Sequence, residues 1–279
     1  MRAADFPYFD GPFLALAHRG GATYPANLHR ENSVHAFTEA AGLGYRHLET
    51  DVHATADGVL LAFHDAILDR VTDRSGVIAE LSYAEVRQAR IHGIDPIPTL
   101  AELFTTFPGA RFNIDAKSDL SVDLLTDTIA EHDAYDRVCV SSFGVARLHR
   151  LRRRLRQRLG QRLGQRLGRP VACAASSYGV AVNRFLPWFT WALNTPAPVL
   201  QIPVHTRVLG RDSRILTPAL LRAAHRAGKQ VHIWTVDDSE LMERLIDAGV
   251  DGIFTDRIDT LKTVLTQRGL WAECEPEGP

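Results

Sequence analysis

The chain has 279 residues, 45% hydrophobic and 23% charged, with a formal net charge of −1, which suits a globular protein with a large core and excludes a uniformly basic surface built for nucleic acid. No run of about 18 uncharged apolar residues is present to span a membrane, and the segment before Leu14 lacks the apolar stretch of a signal peptide. The cysteines, Cys139, Cys173 and Cys274, lack metal-site spacing and form no evident disulfide framework, so a cytoplasmic location is expected.

Short apolar runs alternate with helical patterns through most of the chain. Strands are expected at 13–18, 47–53, 59–64, 111–117, 137–143, 171–176, 199–204, 230–236 and 252–256. Helical patterns fall at 33–41, 99–107, 122–131, 145–159, 217–227, 239–248 and 258–267. Thr217-Pro218 opens one helix and Gly228 closes it; Ser239 is read as the cap of another, ended by Gly249. Parallel neighbours need a crossover, so repeated strand–helix units argue for a parallel sheet. With 59–64 taken as an extra strand beside the second unit, about eight units remain. The expected fold class is α/β, a (β/α)8 TIM barrel forming one domain over residues 1–279, with a doubly wound sheet as the alternative. Residues 65–98 are long for a strand–helix connection and rich in turn signals, the pattern of a binding loop or lid.

Another segment breaks the rhythm. The tetrad QRLG occurs in tandem from Gln157 to Gly168, with leucines spaced by four among arginines. It reads as an extension of the preceding helix, weakened by Gly160, Gly164 and Gly168. The competing reading is an amphipathic helix that reaches a lipid surface or a phosphate backbone.

The chemistry concentrates where strands end. Along "HLETDVH", Glu49, Asp51 and His53 share a face. Adjacent carboxylates raise each other's pKa unless a cation compensates, and an oxygen-only set favours Mg²⁺ or Ca²⁺; a pair of exposed acids on an edge strand is the alternative. In "RFNIDAK", Asn113, Asp115 and Lys117 share the polar face; if that face points into the upper end of the barrel, Asp115 is a third oxygen ligand and Lys117 can reach a bound anion. A plain Asp115–Lys117 salt bridge is the structural alternative. His18 and His64 each end an apolar strand, the place where barrel enzymes keep their active sites. Facing each other across a phosphate, they would divide acid and base work near neutral pH. Arg19 adds a fork of donors suited to phosphate oxygens.

Together, "HRGG", "ENS" (31–33), "LETDVHATADGVLLAFHD", "LDRVTDRSG", "IPTLAELF" and "NIDAK" resemble the glycerophosphodiester phosphodiesterase family. "VHIWTVDDSELMERLIDAGVDGIFTDRID" is similar to that family's closing strands, with Trp234 where an aromatic lines the substrate pocket. The resemblance covers 13–117 and 230–259. It implies a TIM barrel with a small inserted subdomain at 65–98 after the second barrel strand, metal ligands at Glu49, Asp51 and Asp115, and His18 and His64 as the catalytic acid–base pair. It also implies Arg19 and Lys117 on the phosphate. The chain departs from the pattern at Asp115, where the family often has Glu, and in the longer loop from Gly20 to Glu31.

The expected activity is metal-dependent hydrolysis of a small glycerophosphodiester to glycerol 3-phosphate and an alcohol. Lysophospholipase D-type cleavage is the alternative, motivated by the aromatic stretch 183–204 with Phe185, Trp188, Phe189 and Trp191, and it brings peripheral lipid contact with it. A non-catalytic binder of phosphodiesters or anionic lipid is the third reading.

Overall fold

The computed structural model describes residues 1–163, 171–185, 197–208 and 211–271. Strand and helix alternate in chain order: β1 (Leu14–His18), α1 (Val34–Gly42), β2 (His47–Ala54), α2 (Leu100–Thr106), β3 (Arg111–Ala116), α3 (Ser121–Glu131), β4 (Val138–Ser141) and α4 (Val145–Leu163). Then come β5 (Ala172–Cys173), α5 (Ser177–Phe185), β6 (Val199–Ile202), α6 (Pro218–Arg226), β7 (Gln230–Ile233), α7 (Ser239–Ala248), β8 (Gly252–Thr255) and α8 (Ile258–Gln267). These strands pair in parallel in the order β5-β4-β3-β2-β1-β8-β7-β6. A parallel bridge from Ala174 to Val199 joins the ends, with Ala175 N–H donating to the Val199 carbonyl at 2.9 Å. The result is a nearly closed (β/α)8 barrel, and the doubly wound alternative falls away.

Alternation along the strands sorts the core into two compartments. Leu48, Val52, Phe112, Ile114, Val140, Leu200, Val231 and Ile253 face outward and pack under the helices in the main cluster. Leu14, Leu16, Cys139, Ala172, Val199 and Phe254 belong to a separate cluster inside the ring. Each such buried Leu, Ile or Phe is worth about 1.5–3 kcal/mol of burial. The N-terminal residues Ala3, Phe6, Tyr8 and Phe9 join the inner cluster, and Tyr8 and Phe9 set their rings against His47 and His232 (centroids 5.1 and 5.9 Å). Inner apolar packing therefore fills one part of the barrel and leaves the other for polar side chains.

Helix starts follow their caps. Ser33 Oγ accepts from Ala36 N–H, and Thr99 and Glu102 form a reciprocal capping box. Thr217 with Pro218 behaves as expected. Helix α7 corrects the reading of Ser239: the cap is Asp238, whose carboxylate accepts from Leu241 N–H at 2.8 Å, and Ser239 is already helical. Helix α5 and the hairpin His205–Val208 with Arg211–Arg214 were not foreseen. Leu60–Ala62 runs antiparallel to β2, outside the ring. In the insertion, Leu68, Ile78, Val86, Ala89, Ile91 and Ile97 form a small core of their own with Leu61 and Phe63.

The arginine-rich helix α4 continues as far as Leu163. Part of its charge is matched locally. Arg147 pairs with Asp119 at 2.7 Å, Arg150 and Arg154 with Asp123, and Arg158 with Asp127. Those aspartates are spaced by four, one helical turn apart, so they form a ladder opposite the arginine row. The repeat's last part, from Gly164, lies outside the described residues.

Burial pushes His47 down to about 4 and His232 down to about 3, from an ordinary 6.5. Both are neutral when folded and take up a proton below their ordinary value when unfolded, so stability rises with pH between about 4 and 6.5. The melting temperature should therefore fall as pH is lowered through that window. His47→Gln and His232→Gln should each flatten the slope; unchanged slopes in both variants would exclude this origin.

Candidate active site

The strand ends that carry polar side chains converge at the C-terminal mouth of the barrel. Register sets their heights: His18 is level with Glu49, Glu49 with Asn113, and one pleat higher Asp51 with Asp115 and Asp115 with Ser141. Strand β2 lies between β1 and β3, not at an edge. Glu49, Asp51 and Asp115 are all buried, 5%, 2% and 6% exposed, which disposes of the exposed-acid alternative.

The turn after β1 shapes the centre. Arg19, Gly20 and Gly21 all have positive φ (52°, 85° and 90°). A Cβ on Gly20 would lie 2.7 Å from the Ala36 Cβ and 2.9 Å from its carbonyl carbon, so only glycine fits there. Arg19 has a side chain and still adopts the left-handed region, a strained choice for such a residue. In return its N–H donates to Glu49 Oε2 at 3.0 Å, Nη1 donates to Glu31 Oε1 at 3.1 Å, and Nε lies 3.4 Å from Asp51. That Nε is buried without a hydrogen bond, an orphaned donor inside the site.

Charge decides the rest. Lys117 Nζ stands between Asp51 and Asp115, 2.8 and 2.7 Å away. The Asp115–Lys117 salt bridge thus forms, and Lys117 takes in Asp51 as well. Burial opposes the charged form of each partner, but Lys117 and Arg19 hold Asp51 below the usual carboxylate range, and the two aspartates hold Lys117 above the usual amine. Glu49 goes the other way: burial, then the neighbouring Asp51, push it up to about 7. Among the described residues no three His, Cys, Asp or Glu side chains gather closely enough to hold a metal ion. The ammonium of Lys117 is the group that bridges Asp51 and Asp115.

Both predicted histidines line the same cavity of about 590 Å³, with Arg19, Lys117 and Trp234. His18 Nδ1 donates to Asp256 at 2.8 Å and its Nε2 lies 3.8 Å from Glu49. Burial disfavours the imidazolium, yet Glu49 and Asp256 outweigh it and raise His18 above its ordinary value. His64 Nδ1 bonds Asp65 at 2.5 Å, and His53, on the Glu49–Asp51 face, reaches the His64 carbonyl at 3.1 Å. Trp234 meets Phe143 edge to face at 5.8 Å. Phe143, Val180, Phe185 and Ile215 continue the wall as an apolar side opposite the charged one. Trp188, Phe189 and Trp191 lie outside the described residues.

Sequence reasoning missed several contributors. Asp256, the partner of His18, follows the apolar strand β8 directly, the same strand-end signal that marked His18. Glu31, Asp65 and Arg70 form a connected set, with Arg70 bonding Asp65 at 2.5 Å and Glu31 at 2.6 Å. Asn32 accepts from Thr50 at 2.7 Å and donates to Asp51 at 3.4 Å, and Gln201 donates to Asn113 at 2.6 Å.

A (β/α)8 barrel with acids, histidines and cations around one cavity defines a hydrolase-type site for an anionic substrate. Residues 18–260 match the Glycerophosphoryl diester phosphodiesterase family, and the chain belongs to that family. It is 37% identical to "Probable glycerophosphodiester phosphodiesterase 2" of Mycobacterium tuberculosis, over 94% of both chains. A lysophospholipase D of Mus musculus is 27% identical, over 90% of this chain and 85% of the other. Among solved structures, a glycerophosphoryl diester phosphodiesterase of Silicibacter pomeroyi superposes with a TM-score of 0.74 at 22% identity, covering 95% of this chain and 99% of the other. An Oleispira antarctica phosphodiesterase, solved with sn-glycerol-3-phosphate, gives 0.69 at 21% identity, covering 91% and 96%. The chain is therefore an enzyme, a glycerophosphodiester phosphodiesterase, and the non-catalytic reading is set aside.

Removing the shared cation should leave Asp115 without its ion pair and Asp51 with Arg19 as its remaining cation. Lys117→Met is expected to cost about 3–5 kcal/mol at neutral pH in chelator-treated protein, the scale for a broken buried pair. The loss should shrink as the pH is lowered and Asp51 takes up a proton. Urea unfolding measures it, and a variant as stable as the parent at pH 7 would show that the pairing is not what holds these acids.

Proposed function

We propose that the enzyme hydrolyses glycerophosphodiesters to glycerol 3-phosphate and an alcohol by acid–base transfer between His18 and His64, with a divalent cation, Mg²⁺ or Ca²⁺, resident at Glu49, Asp51 and Asp115. One observation carries the histidine assignment. Each imidazole is held at Nδ1 by its own carboxylate, His18 by Asp256 and His64 by Asp65, in a single cavity beside the buried acids.

The donor types are those of a hard divalent ion, and to hold one the three acids would have to close in as Lys117 leaves its place between Asp51 and Asp115. The set is oxygen-only and buried, and Glu49, pushed up to about 7 by burial and by Asp51, marks positive charge in short supply. When bound, such an ion supplies charge to a phosphoryl oxygen. The rest is done by the chain's own residues. Arg19 and Lys117, which both line the cavity, bind the phosphate and hold the charge that builds in the transition state. The Nδ1–H bonds to Asp256 and Asp65 fix the tautomers, leaving each Nε2 to carry the proton, and stabilise the imidazolium when it forms. One histidine takes the proton of the attacking hydroxyl, and the other gives a proton to the departing alkoxide oxygen.

A second reading concerns the substrate's tail. Phe143 and Phe185 are 65% and 53% exposed at the mouth and continue the apolar wall of the cavity, a surface suited to an acyl chain. The relative from Mus musculus named as a lysophospholipase D lends it weight. No described helix is long and apolar enough to cross a membrane. The free, buried Cys139 and Cys173 suit a reducing compartment, and we place the reaction in the cytoplasm.

The reading is tested by glycerol 3-phosphate release from glycerophosphocholine, using stripped protein titrated with Mg²⁺ and Ca²⁺. Turnover should require the ion and fall at least about 100-fold in His64→Ala, as for loss of a general acid–base group. Full turnover in the variant would remove His64 from the chemistry. In a parallel assay, lysophosphatidylcholine cleaved faster than glycerophosphocholine would favour the acyl-chain reading, and the reverse order the deacylated substrate.

A further inference from the structure

We propose that Arg70, on the insertion rather than on the barrel, is a positioning residue that couples His64 to the phosphate-binding Arg19; the proposal rests on the roles given above to those two residues. Its guanidinium is shared between two carboxylates. Nε donates to Asp65 Oδ2 at 2.5 Å and Nη2 to Asp65 Oδ1 at 3.2 Å. On the other side Nη1 donates to Glu31 Oε2 at 3.0 Å and Nη2 to Glu31 Oε1 at 2.6 Å. Asp65 Oδ1 accepts from His64 Nδ1 at 2.5 Å, and Glu31 Oε1 accepts from Arg19 Nη1 at 3.1 Å. One planar cation thus completes a chain His64–Asp65–Arg70–Glu31–Arg19.

Two paired forks resist rotation where a single contact would not. Asp65 has no strand to hold it, because it follows the short strand Leu60–Ala62 at the start of the insertion. With Arg70 in place, both its oxygens are engaged and the carboxylate keeps its face to His64. Arg70 and His64 together pull Asp65 down to about 2, against burial, so the carboxylate stays charged throughout the working pH range. Without Arg70, Asp65 can turn to water, and His64 loses the group that fixes its tautomer. Glu31 loses a partner at the same moment, so the carboxylate that accepts from Arg19 Nη1 is less firmly oriented as well. Such outer partners of catalytic groups matter because they fix orientation and proton position.

A purely structural role is the competing account, since Arg70 also clamps the insertion against the loop after β1. The structure supplies its own control. Arg30 makes a second bidentate clamp between the same two segments, its guanidinium bonded to Asp95 at 2.5 and 2.7 Å and not to the side chains of Asp65 or Glu31. Arg70 also borders a second cavity of about 730 Å³, lined with Arg19, Glu31, His29, His92 and Asp256, so small solutes can reach its position.

The test compares Arg70→Ala, Arg70→Lys, Arg30→Ala and His64→Ala in metal-loaded protein, by kcat and KM for glycerophosphocholine and by ¹⁵N NMR of the His64 ring. Arg70→Ala should lower kcat by on the order of 10- to 100-fold, the scale for outer partners of an active site. Added guanidinium at non-denaturing concentration should restore part of that rate, Arg70→Lys should remain impaired, and Arg30→Ala should stay near the parent. The His64 ring should hold its proton on Nδ1 in the parent and in Arg30→Ala, and become a tautomer mixture in Arg70→Ala. Equal losses in Arg30→Ala and Arg70→Ala would overturn the proposal in favour of a clamp, and so would an unchanged His64 tautomer in Arg70→Ala. Parent-like turnover in His64→Ala would defeat the catalytic reading of His64 instead, while the tautomer comparison still decides whether Arg70 positions that ring.

Discussion

Three carboxylates buried on neighbouring parallel strands are the constraint around which this protein is organised. Glu49, Asp51 and Asp115 are nearly inaccessible, and like charges in a region of low polarity cannot all stay ionised without cations. The structure answers in two ways. Lys117 and Arg19 compensate Asp51 and keep it ionised, while Glu49 is pushed toward its protonated form. Around them stand groups whose positions make sense only in relation to that charge: Asn32 on Asp51, the strained Arg19 turn offering its N–H to Glu49, and His18 beside Glu49.

The barrel makes the arrangement rigid. Every central acid sits on a strand flanked by two others, and the pairing of Asp51 with Asp115 is fixed by the β2–β3 register. A slip of one residue would turn the acids outward into the helix layer and the apolar residues inward. Apolar packing of Leu14, Leu16 and the N-terminal Phe6, Tyr8 and Phe9 fills the interior away from the mouth. The mouth itself is divided between a charged side, on the early strands and the insertion, and an apolar side formed by the later connections. That division suits a substrate with a phosphodiester and a carbon-rich or uncharged arm.

Much of this was readable from residue order, because the signals were local. Strand alternation put Glu49 and Asp51 on one face, and "NIDAK" put Asp115 on the same side as Asn113. His18 and His64 stood out as polar residues ending apolar strands, and both line the cavity. What escaped was either short or distant. Helix α5 has nine residues and contains Gly179 and two valines, too brief for helical periodicity to show. Asp238 and Ser239 are both good caps, and only the backbone conformation chooses between them. Arg70 and Glu31 lie 39 positions apart and meet because the insertion folds back over the loop after β1, which no periodic pattern encodes. The Asp115–Lys117 pair was legible as an alternative, but the contact of Lys117 with Asp51 was not, since Asp51 comes from another strand.

That the three acids hold a divalent cation is the proposal on which this reading of the site turns. Its most direct measurement is calorimetric titration of Mg²⁺ and Ca²⁺ into chelator-stripped protein, with Asp115→Asn and Glu49→Gln alongside. The account predicts one binding event per chain in the parent, accompanied by proton release near pH 7 as Glu49 ionises, and sharply weakened in both variants. No binding by the folded parent, or binding that both variants retain in full, would contradict it.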